Sequence, residues 1–534
     1  MHRTASVSSL RTSNPPDVKR PWLYRALWDR DRFVLALVLG RALILAQLVW
    51  LIVFGLFEYR QGSLTLDFGF YNQVTWLIGH GHLNPYSTVM GSRAWQNDGE
   101  LILWPLAILR DLPPGAFWLK IVQAVALSGT AWVTLSWIVD VVRSATWKSR
   151  LRPELAIGLA AALLVANPLV FSAQAFDFHV EPLGALFAVG AGRDMWRGRR
   201  SMWIWIALTL ACGTACLLLL AGLGVVALCA RGGPGRPKVP WGTGVYLLGI
   251  VLVWAVLLQF THADRGAQVA GYGYLTGGGH PSALGVAKGM LGHPKLVVHQ
   301  VWMNRWHIWD DLAPSGLLGL LTPWGWAMAL VVLGPSVLSY GSFLSAQGFQ
   351  NTPVSAFVVF GTILVLSRLW SMKSVRSGVL CALAGVVALG AGVWGVSQAS
   401  QYYRYWLQIR APAAVALQHA ERIVPANAAV LVSQGVVGGF AMRPRAYTLF
   451  APATFRGNGR NGKLLIQVHG FNVPLPLDRG PLYVVLTPEV GIETLTPGQT
   501  DAVLLQLYAR GASILESRAG VWVLRWTVGR EHAH

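Results

Sequence analysis

Asp67 lies beside a long apolar stretch, where an ionised side chain is energetically unfavourable unless it has a function. It belongs to segment 64–73 (LTLDFGFYNQ), which directly follows the first long apolar stretch of the chain. A charged group at the edge of such a stretch is retained when it is paired, hydrated or functional. A carboxylate here predicts a general base for a hydroxyl, or a ligand that holds a divalent cation against a phosphate. The alternative is a helix N-cap, since Asp favours the position before an apolar helix, here one beginning near Phe68.

A second group of ionisable side chains lies in segment 176–182 (FDFHVEP), where Asp177, His179 and Glu181 occupy alternate positions. Alternate side chains of an extended segment point to the same side. The trio therefore predicts coordination of a metal ion, or a proton relay through a histidine that titrates near neutral pH. The alternative is a hydrated loop in which Glu181 caps the following helix.

Further candidate residues lie near Asp67 and in a later Gly-rich polar stretch. Gln73 and Trp76 follow Asp67 closely, and Glu100 lies further along the same polar segment. Arginines of the later stretch predict bidentate binding of a phosphate or pyrophosphate. The alternatives are a mobile loop for the arginines and anchoring at the membrane interface for the tryptophan. The two leading arginines are Arg265 and Arg305.

The composition indicates which elements must position these residues. The chain has 534 residues, of which 54% are hydrophobic and 12% are charged, whereas a globular domain carries about 25% charged residues. Apolar runs recur near the ~20 residues that cross a bilayer as a helix. The runs are continuous, which excludes the alternating strands of a membrane β-barrel. We therefore predict an all-α polytopic membrane protein.

About eleven membrane-spanning helices are expected from these runs. Two stretches each predict a pair of short spans, one pair turning near Gly213 and the other broken near Pro323. The predicted spans are 33–57, 115–141, 154–172, one ending at 193–200, two within 202–230, 242–260, two within 312–340, 354–370 and 378–397.

The basic residues predict the orientation in the membrane. The net charge is +20, and the Lys and Arg residues cluster at the N-terminus and in short loops that fall on one side. Such loops face the cytoplasm, so no nucleic-acid partner is expected. The four cysteines lie in apolar segments and match neither a zinc pattern nor a disulfide framework. The predicted regions are a cytoplasmic tail 1–32, a transmembrane domain 33–398 and exterior loops 58–114 and 261–311.

The last part of the chain, 399–534, predicts a small soluble α/β domain. Short apolar runs at 430–432 and 483–486 are typical of buried strands. Residues 501–509 have helical spacing, and 514–524 predicts a hairpin that turns at Gly520. The count of spans places this domain outside the cytoplasm.

Three segments carry a resemblance to a known family. The DFGFYNQ motif at 67–73, followed by Trp76, resembles the opening signature of a bacterial membrane-protein family catalogued as a domain of unknown function (2079). FDFH at 176–179 resembles its second signature, and 423–447, which includes RPRAY, is similar to its exterior segment. That family in turn resembles the GT-C glycosyltransferases, multi-helix membrane enzymes that use polyprenyl-phosphate sugars at the outer membrane face.

The resemblance implies a GT-C-like fold and a function. It implies a bacterial plasma-membrane enzyme that transfers a sugar from polyprenyl phosphate to a glycan, lipid or protein acceptor of the cell envelope. The essential acid of the first exterior loop corresponds to Asp67, and that of the next loop to Asp177 or Glu181. We therefore predict Asp67 and Asp177 as catalytic. The expected substrate-binding residues are Gln73, Trp76, Glu100, His179, Glu181, Arg265 and Arg305. The need for a divalent metal ion is left open, and its candidate ligands are Asp177, His179 and Glu181.

Two other functions are compatible with a polytopic membrane chain. A lipid or solute transporter or flippase predicts ionisable groups near the bilayer midplane and broken helices in corresponding positions. The apolar stretches here are nearly free of such groups, and the acids collect at one edge, which favours surface chemistry. The third hypothesis is a non-catalytic assembly protein whose soluble tail binds a cell-envelope component.

Overall fold

A computed structural model describes most of the chain. The described residues are 21–112, 115–144, 153–230, 236–261, 271–277, 282–339, 351–371, 385–386, 389–390, 393, 411–449, 455–456, 464–468, 471–475, 481–487, 496–509 and 511–527. The expected span 378–397 falls almost entirely outside them, as do most of the N-terminal tail and Arg265.

Long apolar helices and a polar insertion make up the first half of the chain. The first helix has 41 residues, and it is followed by a short helix and a two-stranded hairpin before the next long helix. The elements are α1 Pro21–Gln61, α2 Leu66–Gly79, β1 Tyr86–Ser87, β2 Ser92–Arg93, α3 Ala94–Asn97, α4 Leu103–Leu106, α5 Trp118–Ser144, α6 Pro153–Val165, α7 Pro168–Ala175 and α8 Glu181–Arg197.

Shorter helices follow in the second half. A π-helical stretch, Ala329–Leu333, joins two α-helical pieces into one run. The elements are α9 Met202–Leu210, α10 Ala215–Cys229, α11 Gly242–Thr261, α12 Ala283–Gly292, α13 Pro294–Met303, α14 Arg305–Leu312, α15 Pro323–Met328, α16 Gly334–Leu338 and α17 Thr352–Ser371.

Several of these helices are long and apolar enough to cross a membrane. In the described part of the chain there are four, and three shorter apolar helices accompany them. The prediction of a polytopic helical membrane protein is confirmed, while the number of eleven spans stays a prediction. The four are Asp31–Gln61, Gly115–Arg143, Pro153–Ala175 and Thr352–Leu369; the shorter three are Ala215–Cys229, Gly242–Leu258 and Pro323–Leu338.

The two predicted helix pairs have different outcomes. The chain does turn at Gly213, whose φ of +94° suits glycine, so α9 and α10 are separate helices. The chain is also interrupted near Pro323, where a helix begins that continues to Leu338, while the two spans expected in 312–340 stay a prediction. Proline lacks an N–H and is tolerated in the first helical turn. The Thr322 side chain caps this start by accepting from the Gly325 N–H.

Aromatic packing holds the centre of the helical bundle together. The Trp137 ring of α5 stacks on Phe360 of α17 with centroids 3.7 Å apart, and it meets the Trp324 ring of α15 edge-on at 4.7 Å. α1 packs against α5 and α6, and α5 packs against α8. The loops at the ends of these helices therefore have fixed positions relative to one another.

The described C-terminal residues form a mixed sheet flanked by helices, as predicted from the strand and helix patterns. The five-stranded sheet has the order β4-β3-β8-β10-β9, with β3 parallel to β4 and β8 and with β10 antiparallel to β8 and β9. The elements are α18 Ala411–Ile423, β3 Ala429–Ser433, β4 Ala446–Leu449, β5 Phe455–Arg456, β6 Leu464–Val468, β7 Phe471–Leu475, β8 Leu482–Leu486, α19 Pro497–Tyr508, β9 Ser513–Arg518 and β10 Val521–Trp526.

Candidate functional site

Asp67 occupies the first turn of α2 and remains partly open to solvent. Its side chain is 31% exposed, and its Oδ2 lies 3.5 Å from Nε2 of His179. The helix begins at Leu66 with Thr65 as its N-cap residue. Asp67 therefore does not cap the helix, and its carboxylate is available for another role.

Asp177 performs the capping that Asp67 does not. Its Oδ1 accepts from the Thr65 N–H at 3.1 Å, and its Oδ2 accepts from the Phe68 N–H at 3.0 Å and from the Thr65 hydroxyl. An anion at a helix N-terminus satisfies unpaired N–H groups and complements the helix dipole. The Asp177 side chain is buried, so it holds the first turn of α2 from a distant loop.

The electrostatic environment of Asp177 has two opposing parts. Burial raises the pKa of its carboxyl above the ordinary value, and the neighbouring Asp67 acts in the same direction. The Lys120 ammonium and the hydrogen bonds from Thr65 and Phe68 lower the pKa and so favour the ionised form.

His179 lies between two carboxylates. Its Nε2 faces Asp67, and its Nδ1 lies 3.7 Å from Oε2 of Glu181. The ring stacks on Phe176, with centroids 5.3 Å apart, and meets the edge of the Tyr71 ring. Burial alone would lower the pKa of His179, but its hydrogen bond to Asp67 and the nearby carboxylates raise the pKa above 6.5. His179 thus lies between the carboxylates of Glu181 and Asp67.

A pH-dependent contribution to stability follows from this histidine. A histidine whose pKa is higher in the folded protein than in the unfolded chain stabilises the fold when it is protonated. This stabilisation is complete below the pKa of the unfolded chain, here 6.5, and it is lost as the pH rises through the pKa of the folded protein. His179→Gln should therefore lower the melting temperature most in acidic buffer, with a gap to wild type that narrows at alkaline pH. Thermal unfolding in detergent from about pH 5.5 to about pH 9 measures the gap. His82→Gln, at an exposed position, is the control, and a gap that widens with pH would refute the assignment.

The metal-ligand prediction for Asp177, His179 and Glu181 is not supported by this arrangement. Among the described residues, no three His, Cys, Asp or Glu side chains are gathered so that they could hold a metal ion. The reason is that the Asp177 oxygens face the start of α2, whereas His179 lies between Asp67 and Glu181. The proton relay through His179 stays a prediction.

Gln73 is surrounded by protein groups and is not open to a substrate. This corrects its predicted role in binding a substrate. It is fully buried. Its Nε2 donates to the Thr88 hydroxyl at 2.9 Å and to the Arg443 carbonyl at 3.1 Å. Its Oε1 accepts from the Ser87 hydroxyl and the Val89 N–H. With both amide hydrogens and both acceptor positions used, Gln73 joins α2 to the β1–β2 hairpin and to the backbone at Arg443.

The region of the C-terminal sheet contacts α2 and its neighbours at further points. The Asn72 Nδ2 donates to the Gly438 carbonyl at 3.1 Å, and the Gly438 N–H donates to the Leu64 carbonyl at 2.8 Å. The Thr88 hydroxyl also bonds to the backbone of Ala446. α2, which carries Asp67, thus lies between the helical bundle and the C-terminal sheet region.

Glu100 is also a buried side chain. Its Oε1 accepts from the Tyr71 hydroxyl at 2.6 Å, and its Oε2 has no hydrogen-bond partner within the described part of the chain. Burial, with the Asp98 charge, raises the pKa of Glu100 well above its ordinary value. Burial therefore disfavours the ionised form of Glu100, whose contact within the described residues is with Tyr71, while its contact with a substrate stays a prediction.

The raised pKa of Glu100 predicts an unequal response of stability to two substitutions. Glu100→Gln keeps the shape and the acceptor of a neutral carboxyl, so we expect a change in unfolding free energy within about 1 kcal/mol. Tyr71→Phe leaves Oε1 buried without its donor and should cost about 1–3 kcal/mol. Chemical or thermal unfolding of the detergent-solubilised variants measures both. A larger loss for Glu100→Gln than for Tyr71→Phe would show that Glu100 is ionised.

Trp76 and Arg305 make their ring contacts elsewhere in the described part of the chain. Trp76 is nine residues beyond Asp67 on α2, about 13 Å along the helix axis, and its ring packs on His80 at 4.0 Å. The Arg305 guanidinium lies over the rings of Trp302 and Trp306. Arg265 lies outside the described residues.

Three residues beside the site were not predicted from the sequence. Thr65 donates two hydrogen bonds to Asp177, while Lys120 and Gln123 contact the backbone around it. Lys120 carried a usable signal, since a lysine within an apolar span is a sign of function. Gln123 lies one helical turn beyond Lys120. Nothing in the sequence around Thr65 indicated its role, which depends on its partner Asp177.

The fold and the site define a polytopic helical membrane protein with a cluster of acids and a histidine at one end of its bundle. The family model "Predicted membrane protein (DUF2079)" matches residues 60–461, and the chain belongs to that family. Among solved structures, ArnT from Cupriavidus metallidurans in the apo state is similar over 89% of this chain and 97% of that chain, with 12% identity and a TM-score of 0.43. No curated protein matches the sequence.

Proposed function

We propose that the chain is an integral membrane glycosyltransferase of the GT-C type. It transfers a sugar from a polyprenyl-phosphate donor to a cell-envelope acceptor at the outer face of the bacterial plasma membrane. The observation that carries the proposal is the partly exposed Asp67 carboxylate, 3.5 Å from a buried histidine that a second carboxylate contacts. A partly exposed carboxylate beside a buried histidine suits removal of a hydroxyl proton.

The proposed reaction is a displacement at the anomeric carbon of the sugar. The acceptor oxygen forms a bond to this carbon while the bond from the carbon to the phosphate oxygen breaks, and its electron pair leaves with polyprenyl phosphate. Asp67 takes the proton of the acceptor hydroxyl and becomes a neutral acid, and His179 stabilises the ionised Asp67 before this transfer. Asp177 holds the turn that carries Asp67. The negative charge that develops on the phosphate requires a cation nearby, for which Arg265 and Arg305 are the candidates.

The placement of the acids supports surface chemistry rather than transport. Asp67 follows the end of α1, and segment 176–181 joins the end of α7 to the start of α8. A transporter would place such groups near the middle of broken helices. In this proposal the C-terminal domain lies outside the cytoplasm and packs against α2, where it can contact the acceptor.

A reconstituted transfer assay tests the proposal. The purified protein in lipid nanodiscs is supplied with a panel of radiolabelled polyprenyl-phosphate sugars and an envelope fraction as acceptor. Release of polyprenyl phosphate, with label moving to the acceptor, is the expected result. In cells, deletion of the gene should cause a polyprenyl-phosphate sugar to accumulate. Movement of intact donor across liposomes without its cleavage would overturn the proposal in favour of a flippase.

A further inference from the structure

A buried ion pair joins α1 to α5 near the acid cluster. Nζ of Lys120 lies 3.1 Å from Oε2 of Glu58, and the two side chains are only 1% and 2% exposed. The same ammonium donates to the carbonyls of Gln174, at 3.0 Å, and of Phe176. An ammonium has three N–H donors, so all of them are used.

The two carbonyls bound by Lys120 belong to the end of α7 and the start of the site loop. Carbonyls at a helix C-terminus lack partners within the helix and carry a partial negative charge, which a cation complements. The Phe176 carbonyl directly precedes Asp177 in the chain. Lys120 therefore fixes the backbone on the N-terminal side of Asp177.

Gln123 fixes the backbone on the other side. Its Oε1 accepts from the His179 N–H at 2.7 Å, and its Nε2 donates to the carbonyls of Asp177, at 3.2 Å, and Ala173, at 2.7 Å. It lies three residues after Lys120 on α5, a spacing that places both side chains on one face of the helix. One helix face thus holds the loop from residue 173 to residue 179.

We propose that Lys120 and Gln123 are positioning residues that set the place of Asp67 without touching the substrate. The path runs from α5 to the Asp177 backbone, then through the Asp177 carboxylate to Thr65 and Phe68, which flank Asp67. The inference rests on the proposed function, because it concerns the same site.

A purely stabilising role would not explain the ion pair. Desolvation of two charges offsets most of their attraction, and replacement of both partners by uncharged groups is often neutral for stability. What uncharged groups cannot replace is the set of bonds to the loop carbonyls. A misplacement of about 1 Å at a catalytic group lowers the rate about 10²-fold, so the effect on catalysis should exceed the effect on folding.

The experiment compares kcat, the KM for the donor and the pH profile among four variants of the full-length protein. Glu58→Gln with Lys120→Met removes both charges together, and Gln123→Leu perturbs the same loop without touching the pair. Glu58→Gln alone keeps the bonds from Lys120 to the carbonyls. Gln47→Leu is the matched control, since Gln47 is a buried side chain of α1 that donates to the Val165 carbonyl at 2.9 Å, away from the loop.

The positioning role predicts a fall in kcat of about 10²-fold in the double variant and in Gln123→Leu, with the KM for the donor unchanged. As the pH is lowered, the double variant should lose activity at a higher pH than wild type does. The reason is that it lacks the Lys120 ammonium, which favours ionised Asp177. Gln47→Leu should resemble wild type, whereas Glu58→Gln should keep a kcat near wild type but lose stability, because Lys120 is then buried without its counter-charge. If the double variant does not fold, Gln123→Leu decides.

A wild-type kcat and pH profile in the double variant or in Gln123→Leu would overturn the inference. An Asp67→Asn protein assayed in parallel separates this failure from failure of the proposed function. If Asp67→Asn is inactive while the double variant is active, only the positioning role is refuted. If Asp67→Asn is active, the proposed function is refuted.

Discussion

Asp67→Asn lowers kcat of the reconstituted enzyme by about 10²–10⁴-fold, the usual contribution of a general base. An amide has nearly the size of a carboxylate but cannot take the proton of a hydroxyl. The Asp67 side chain is 31% exposed, and its charge is not needed to cap α2, so the variant should fold. The measurement is the rate of polyprenyl-phosphate release, with the melting temperature as the check on folding.

The control for this prediction is a carboxylate of the same polar segment. Asp111 is 80% exposed and lies 3.5 Å from Arg110, so Asp111→Asn should leave both kcat and the melting temperature near wild type. A transfer rate in Asp67→Asn within a few-fold of wild type would show that Asp67 is not the base. The non-catalytic assembly hypothesis would then gain support.

Asp177→Ala should reduce stability as well as activity. The substitution leaves the N–H groups of Thr65 and Phe68 without their acceptor at a buried helix start, and each buried unsatisfied group costs about 1–3 kcal/mol. We therefore expect a loss of about 3–5 kcal/mol in unfolding free energy, since the lost bonds are to a charged group. Urea or thermal unfolding in detergent measures this loss.

The contrast between the two carboxylates is the informative result. Asp67→Asn should change the rate with little change in stability, and Asp177→Ala should change both. Asp177→Asn should fall between wild type and Asp177→Ala in stability, because one side-chain oxygen remains to accept from Phe68. If Asp177→Ala keeps the stability of wild type, the Asp177 carboxylate does not hold the start of α2. The proposed path from Lys120 and Gln123 to Asp67 would then be refuted, because it runs through this carboxylate.

The sequence alone was sufficient for the class of protein and for the two acidic segments. Long apolar runs require helices in a bilayer, because backbone groups in hydrocarbon must bond within their own segment. Short apolar runs bounded by turn residues likewise predicted the strands at 430–432 and 483–486 and the final hairpin. A charge at the edge of an apolar run is visible without any structure, and so Asp67 and Asp177 could be named.

Only the tertiary structure assigned different roles to these acids. The capping contact joins Thr65 to Asp177 across 112 residues of sequence, and the amide of Gln73 reaches Arg443 across 370. Glu100 and Gln73 looked like exterior polar residues, yet packing buries both. Periodicity and motif spacing report on neighbours within a few turns of one element, whereas burial and hydrogen-bond partners depend on which distant segments the folded bundle brings into contact.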